Sequence, residues 1–545
     1  MSYRLKLAAC FFIFSQLLMS SHTHAQNETH QTSQINASIN TTTAIEQFVR
    51  GDFNTRRQLL NNWPASTAEL EQLSKYIENE QLYTDNSGQT YILENNETLQ
   101  RFSDQQVITS WPADLNQITL VNTLKKALTF GLAKRKLDSN QTKDRLEAID
   151  ILEMNLSELD KNQINQLYLN EKTQQVKDRF AQLKARLDYQ SSDILVKIQA
   201  VQVLGESNHP DVYAMIETDL EQKNLHPDLK SALVTAKGQI KTRLQASEWT
   251  GYLFSGLSSA SILLLAALGL AITYGLLGVI NMAHGELIMI GAYTTYVIQS
   301  LFKTYLGNWV DWYLIVAIPS AFLISALIGM LIERTVIRPL YGRQLETLLA
   351  TFGVSLILMQ LVRMFFGAQN VEVSNISWLS GGFSITPSLI LPYNRIAIIV
   401  FTVAVLLLLI YLLNKTRFGL FVRAVTQNRQ MARAVGIRSN RIDMMAFGLG
   451  SGLAGLAGCA LAQVGNVGPD LGQNYIIDAF LVVVVGGVGQ VWGAVLAALG
   501  LGISGTVLEI GMGAVLAKII LLVLVILFIQ KRPQGLFAIK GRFVE

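Results

Sequence analysis

From Leu257 onward one apolar run follows another, each close to the ~20 residues that a helix needs to cross a bilayer, and no other feature restricts the fold so strongly. Lipid offers the backbone no hydrogen-bond partners, so such runs are expected as helices. They are Leu257–Val279, 286–305, 313–332, 345–366, 395–413, 444–465, an interrupted region 479–510, and 514–530. The expected class is an all-α polytopic membrane protein with about seven to nine transmembrane segments, one region being broken or re-entrant. Charge sets the sides. Arg334, Arg338 and Arg343 after the third run, and Lys531, Arg532, Lys540 and Arg542 at the C-terminus, are expected in the cytoplasm. The loops 306–312, 367–394 and 466–478 carry no Lys or Arg and are expected outside.

The chain ahead of these runs has a different composition. Arg4 and Lys6 precede an apolar stretch Leu7–Met19 and then Thr23-His24-Ala25, the layout of a secretory signal, so residues 1–25 are read as a signal peptide. Residues 26–119 are expected to hold a flexible leader and a small mixed subdomain. Gln26–Thr43 is too rich in Asn, Thr, Ser and Gln to bury a core. Leu82–Leu93 places strand formers on either side of a turn cluster, which predicts a hairpin. Residues 120–248 are expected as an exported, helical repeat-like region, and 249–545 as the membrane domain. Two apolar patterns recur 52 or 53 residues apart: Val176, Phe180, Leu183 and Leu187 match Leu229, Leu233, Ala236 and Ile240, while Leu146, Ile149 and Leu152 match Ile198, Val201 and Leu204. Helix pairs are the expected unit. Pro210 and Pro227 suit helix starts, and His209 and His226 just before them suit caps better than catalysis.

Composition removes several function classes. The net charge of +4 is small and its basic residues flank apolar runs, so no nucleic-acid partner is expected. The two cysteines, Cys10 and Cys459, support neither a disulfide framework nor a thiolate metal site. No Gly-x-x-x-x-Gly-Lys-Ser/Thr loop occurs, so ATP would have to be used by another chain and no cofactor is expected on this one.

Two sets of residues carry the functional expectations. The first is the basic loop from Lys415 into a glycine-rich apolar run, where Arg423, Met431, Ala432, Arg433, Ala434, Gly436, Arg438 and Arg441 form a candidate cytoplasmic docking surface. Met431–Ile437 reads as a short helix stopped by Gly436. The glycines 448, 450, 452, 455 and 458 beyond it would let membrane helices approach closely. The second set comprises polar residues and glycines interrupting apolar runs: Asn281, His284, Glu286, Gln463, Asn466, Gly486, Gly487, Gly489 and Gln490 are the candidate translocation path. A cytoplasmic elbow is the simpler account of Asn281–Glu286, and tight helix packing an equal account of Val485–Gly493. Gly502-Ile503-Ser504-Gly505 with His284 allows an intramembrane serine protease, and an energy-independent channel or sensor is a third class.

The stretches Gly278–Glu286, Leu345–Gly353, Gln369–Val373, Ala434–Arg438 and Gly465–Gly472 resemble the permeases of ABC importers for branched-chain amino acids, most closely the urea-type subunit. The resemblance implies an inner-membrane importer with a second permease subunit, two cytoplasmic ATPase subunits and a periplasmic substrate-binding protein, its own contacts otherwise being membrane lipid. The Arg423–Arg441 loop would then hold the coupling helix that seats in the ATPase. Met431 stands where the wider importer motif has a glutamate, so no ion pair is implied there. Urea is neutral, and the amides of Asn281, Gln463 and Asn466 could pair with it. Its four heavy atoms limit binding to roughly 6 kcal/mol, so accumulation would depend on ATP. A branched-chain amino acid or short amide is the alternative substrate, and a zwitterion would call for an acid and an arginine or helix N-terminus.

Overall fold

The computed structural model describes residues 44, 47–49 and 51–537, apart from 65–66, 80, 86–88, 95–97, 102–105, 109–111, 113, 154–155, 157–158, 160, 223–224, 279–280 and 387. The signal peptide and most of the leader expected before residue 44 lie outside the described residues. The chain divides into two compact units, the first made of described residues up to Ser207 with Ala214–Gln239, the second of Asn208–Tyr213 with Ile240 onward.

In the first unit, α1 (Phe53–Asn61) and α2 (Thr67–Glu78) precede a five-stranded antiparallel sheet of order β4-β3-β2-β1-β5. The hairpin expected from Leu82 to Leu93 is its centre: β1 (Leu82–Thr84) pairs with β2 (Thr90–Glu94), Leu82 opposite Ile92. Phe48, Leu60, Trp63, Leu70, Leu73 and Leu82 close one small core. Helices α3 (Asn122–Lys136), α4 (Thr142–Glu153), α5 (Lys161–Asn170), α6 (Gln174–Tyr189), α7 (Ile194–Leu204) and α8 (Pro210–Leu220) follow, and α9 (Pro227–Leu277) continues into the second unit.

Most of the recurring residues are buried, Ile149, Leu152, Val176, Phe180 and Leu183 with their counterparts Val201, Leu204, Leu229, Leu233, Ala236 and Ile240, while Leu146, Leu187 and Ile198 are half-buried. The repeating unit has three helices, however, because α5 and α8 stand between the members of each expected pair. Both are short and lie outside the recurring stripes, and α5 is largely polar, Lys-Asn-Gln-Ile-Asn-Gln-Leu-Tyr-Leu-Asn. Pro210 and Pro227 do open helices, and His209 Nδ1 accepts the Asp211 amide at 3.3 Å, a capping contact.

The second unit is helical: the end of α9, then α10 (His284–Tyr305), α11 (Tyr313–Ile332), α12 (Gln344–Phe366), α13 (Tyr393–Lys415), α14 (Arg417–Gln427), α15 (Arg429–Ala434), α16 (Ser439–Ala462), α17 (Leu471–Gly486), α18 (Val491–Met512) and α19 (Ala514–Lys531). A hairpin of β6 (Gly382–Thr386) and β7 (Leu389–Pro392) lies in the long loop before α13. Among the described residues seven helices are long and apolar enough to cross a membrane: α9, α11, α12, α13, α16, α18 and α19. Helix α10, expected as a span, is not among them, because polar residues such as Glu286, Thr294, Thr295, Gln299 and Lys303 make it too little apolar; every residue from His284 to Thr295 is buried in protein.

Helix α16 is the axis of this unit, with 83% of its most apolar stretch buried against 11% for α12 and α19. Its glycines bring in three neighbours where close approach of two helices was expected. A Cβ on Gly458 would lie 1.9 Å from the Ile288 carbonyl oxygen of α10, and one on Gly450 2.6 Å from the Gly269 oxygen of α9. Gly455 meets the Ala321 carbonyl oxygen of α11 in the same way, and Gly448 and Gly452 receive the Met330 and Phe322 side chains of that helix. Lipid gives apolar helices little reason to associate, so close backbone packing of this kind carries the assembly.

Gly458→Ala is therefore expected to destabilise the unit by about 1–3 kcal/mol, since the Ile288 backbone cannot move aside cheaply. Gly500→Ala, whose Cβ meets nothing within 4 Å, is expected to stay within about 0.5 kcal/mol of the parent. Thermal unfolding of the purified chain in detergent compares the two.

Candidate functional site

Helix α9 ends at Leu277, and the chain turns back through Asn281, Met282 and Ala283 into α10. This is no surface elbow. His284 Nε2 donates to the Ala266 carbonyl at 3.0 Å, and Ala266 lies about 16 Å along α9 from its end at ~1.5 Å per residue. A Cβ on Gly269 would come within 2.9 Å of His284 and 2.3 Å of the Gly450 oxygen, so His284 sits level with the middle of α16. Non-helical backbone at such depth persists only when buried in protein or lining a polar space.

The turn is held by its own polar groups. Asn281 Oδ1 accepts the Ala283 amide at 3.0 Å, its carbonyl accepts the His284 amide at 3.3 Å, and the Met282 amide donates to Thr351 Oγ1 on α12 at 3.2 Å. One turn later Ser355 of α12 donates to Glu286 Oε1 at 2.9 Å. Asn281, His284 and Glu286 are each 1% exposed or less. Yet Asn281 Nδ2, His284 Nδ1, Glu286 Oε2 and the hydroxyl of buried Tyr293 find no partner. Burying polar atoms unpaired is costly, so a cluster of them around one turn marks a place where something else can bind.

The other path candidates are placed elsewhere. Gln463 exchanges hydrogen bonds with the Tyr313 hydroxyl (3.1 and 3.2 Å), and its carbonyl accepts from Asn394 Nδ2 at 3.1 Å. Tyr313 and Gln299 both bond the Ser374 carbonyl, and Val371 pairs with Val467 through both amides. Gln463, Tyr313 and Gln299 together thus tie the loop after α12 and the start of α13 onto the ends of α10, α11 and α16. Asn466 beside it is exposed. Gly486, Gly487, Gly489 and Gln490 form the turn between α17 and α18, where φ of +97° at Gly487 needs a glycine. Gly486 packs on the Gly493 backbone, Gly489 on Gly275, and the Leu536 amide donates to the Val485 carbonyl at 2.8 Å, so the turn lies at the end of the unit where α9 and α19 finish. The interruption expected inside an apolar run is a helical hairpin.

Ser504 and His284 do not form a dyad: Ser504 Oγ donates to Gly500 of its own helix, and Gly502 packs on Ala260. Among the described residues no group of three or more His, Cys, Asp or Glu could hold a metal.

The docking candidates do share one surface. Asn428 caps α15 by accepting the Met431 amide at 3.0 Å. At the other end the Ile437 amide returns to the Ala432 carbonyl and the Gly436 amide to Arg433, both at 3.0 Å, with Gly436 at φ +88°. This six-to-one and five-to-two closure is the glycine stop expected from the sequence. Ala432 is buried on Val425, Ile442 and Ala446, while Arg423, Met431, Arg433, Ala434, Gly436, Arg438 and Arg441 are exposed.

What holds α15 in place was not visible in the sequence. Arg429 pairs with the fully buried carboxylate of Asp443 at the start of α16, and its guanidinium lies 4.9 Å from the ring centre of Tyr341. Tyr341 donates to Glu333 Oε1 at 2.8 Å, and Arg338 bonds both Glu333 oxygens at 3.2 and 2.9 Å. Glu333 projects inward from a π-helical turn, Glu333–Ile337, that continues α11. Burial, the Asp443 carboxylate and the bond to Glu333 raise the Tyr341 phenol above its usual value, so it remains a donor. Removing the cation in Arg429→Ala would leave Asp443 buried and unpaired, an expected loss of about 3–5 kcal/mol. The double variant Arg429→Ala/Asp443→Ala is expected to melt at a higher temperature than Arg429→Ala alone.

Residues 252–529 match the family described as branched-chain amino acid transport system permease component. The high-affinity branched-chain amino acid transport system permease protein BraD of Pseudomonas aeruginosa is 30% identical over 290 residues, covering 52% of this chain and 94% of that protein. LivH of Escherichia coli K12, of the same description, is 29% identical over 290 residues with the same coverage. A probable LivH of Methanocaldococcus jannaschii is 28% identical over 294 residues, covering 51% of this chain and 89% of that one. No solved structure matches. The matched residues take in the Asn281–Glu286 turn, the glycine axis of α16 and the α15 surface, and the chain belongs to the branched-chain amino acid permease family of ABC transporters, as a multi-pass membrane transport subunit and not an enzyme.

Proposed function

We propose that this chain is the permease subunit of an ATP-driven importer for a branched-chain amino acid, and that substrate passes at the level of Asn281, His284 and Glu286. The observation that carries this reading is the match over the whole helical unit to permeases whose names specify branched-chain amino acids. The substrate was expected to be urea, with amino acids second. The order reverses, because none of those names specifies urea and because a neutral molecule has no use for an acid such as Glu286.

On this reading two ATPase subunits, a second permease subunit and a substrate-binding protein complete the importer. The α15 surface faces the cytoplasm with Lys531 and Arg532, by the rule that basic loops stay inside. It is the surface that seats in the ATPase. Exposed Met431 and Val435 offer apolar contact and the surrounding arginines offer charge, while Arg429–Asp443 and the chain Arg429–Tyr341–Glu333 carry its displacement into α16 and α11. Two rigid links to two packed helices make the loop a lever.

Uptake of radiolabelled leucine in a strain lacking this gene and its native leucine importers is expected to return when the chain is restored with its partner subunits. It is expected to vanish when the partner ATPase cannot hydrolyse ATP. Restoration of urea uptake without leucine uptake would reinstate the urea reading, and uptake independent of ATP would replace both with a channel.

A further inference from the structure

Helix α12 is packed in an unusual sense. Its buried residues are Thr347, Thr351 and Ser355, four apart on one face, whereas Leu345, Leu349, Phe352 and Leu356 are exposed. Two of the buried hydroxyls join it to its neighbour, Thr351 to the turn before α10 and Ser355 to α10 itself, while Thr347 donates to the Leu340 and Arg343 carbonyls. Across that face stands Glu286, 1% exposed, with one oxygen held by Ser355 and Oε2 unpartnered. Further along α12, Arg363 donates to Asp470 at 2.5 Å, just before α17, while its Nε is buried without a partner. The charges of Arg363 and Asp470 are both near enough to Glu286 to act on it electrostatically. The seam is also pinned beside Glu286: a Cβ on Gly285 would lie 2.5 Å from the Gly472 oxygen, which holds α17 and Asp470 against α10.

The seam thus offers one buried carboxylate oxygen with no partner and one arginine whose present partner, Asp470, is 61% exposed. An exposed ion pair contributes little and is readily exchanged. An α-amino acid carries an ammonium and a carboxylate on one carbon, the complement of these two groups. Urea would match neither charge.

Resting on the amino-acid reading above, we propose that the seam between α10 and α12 is the zwitterion-binding site of the permease, with Glu286 Oε2 receiving the substrate ammonium and Arg363 exchanging Asp470 for the substrate carboxylate. The hydroxyls of Thr351 and Ser355 take up hydrogen bonds to the substrate as the seam parts. No bond is made or broken.

The test uses the complete importer in proteoliposomes with radiolabelled leucine as the probe. Glu286→Gln and Arg363→Gln each are expected to lower the initial rate of leucine uptake by about tenfold or more, the loss of one charge-assisted contact. Assembly is checked by co-purification with the ATPase. Uptake at the parent rate in both variants would overturn the inference and leave the amino-acid reading standing, whereas urea uptake without leucine uptake by the parent importer would overturn that reading itself. Should either variant fail to assemble, Ser355→Cys decides. Its labelling by a methanethiosulfonate ethylammonium reagent is expected to slow severalfold with saturating leucine and not with urea, and equal labelling rates with and without leucine would overturn the inference.

Discussion

Backbone contact at one residue sets the spacing of the helical unit. With no side chain at Gly458, the Ile288 carbonyl of α10 rests directly on α16, and Gly450 and Gly455 admit α9 and α11 in the same way. Interhelical distance is thereby set by backbone atoms, which do not compress. Once three helices close around α16, the polar groups at the start of α10 have nowhere to go except inward. The depth of Asn281, His284 and Glu286 is a consequence of the glycines and not an independent choice.

That geometry explains why α10 can be so polar. A helix facing lipid must be apolar, but one surrounded by α11, α16 and α17 can carry His284, Glu286, Thr295 and Gln299 so long as each meets a partner or a ligand. Most do: Thr294 and Thr295 bond their own helix, and Gln299 bonds the Ser374 backbone. The exceptions gather at the turn before α10 and along the α12 seam. An importer needs a place where polar groups are left for its cargo, and these are the groups left.

Much of this was legible in the sequence, and what was not has physical reasons. Apolar run length marked the spans, and strand formers around Asn86-Ser87-Gly88 marked the hairpin. Gly436 marked the end of α15, because only a left-handed glycine closes a helix that way. Depth was illegible: hydropathy gives the order of polar residues along a run but not whether the chain doubles back, so Asn281–Glu286 read as an elbow. Gln463 read as a path residue because an amide looks the same whether it meets a substrate or Tyr313. Glu333, Tyr341 and Asp443 passed unnoticed since each is unremarkable alone, and 102 positions separate Arg338 from the Asn440 carbonyl it also meets. Alternation of three helices was lost because the recurring stripes lie on α4, α6, α7 and α9 and say nothing of what stands between them.

The two ends of the helical unit are fastened with different chemistry. Around Gln463 the ties are amides, a phenol and main-chain carbonyls with the exposed ion pair Arg363–Asp470 beside them, whereas around α15 guanidinium groups meet the fully buried carboxylates of Asp443 and Glu333. Neutral ties are indifferent to ionic strength, while charged ones that reach the surface weaken as salt accumulates. Salt in the surrounding solution therefore weakens the exposed Arg363–Asp470 contact first and leaves the buried carboxylates behind α15 fastened, so the two ends answer ionic strength unequally.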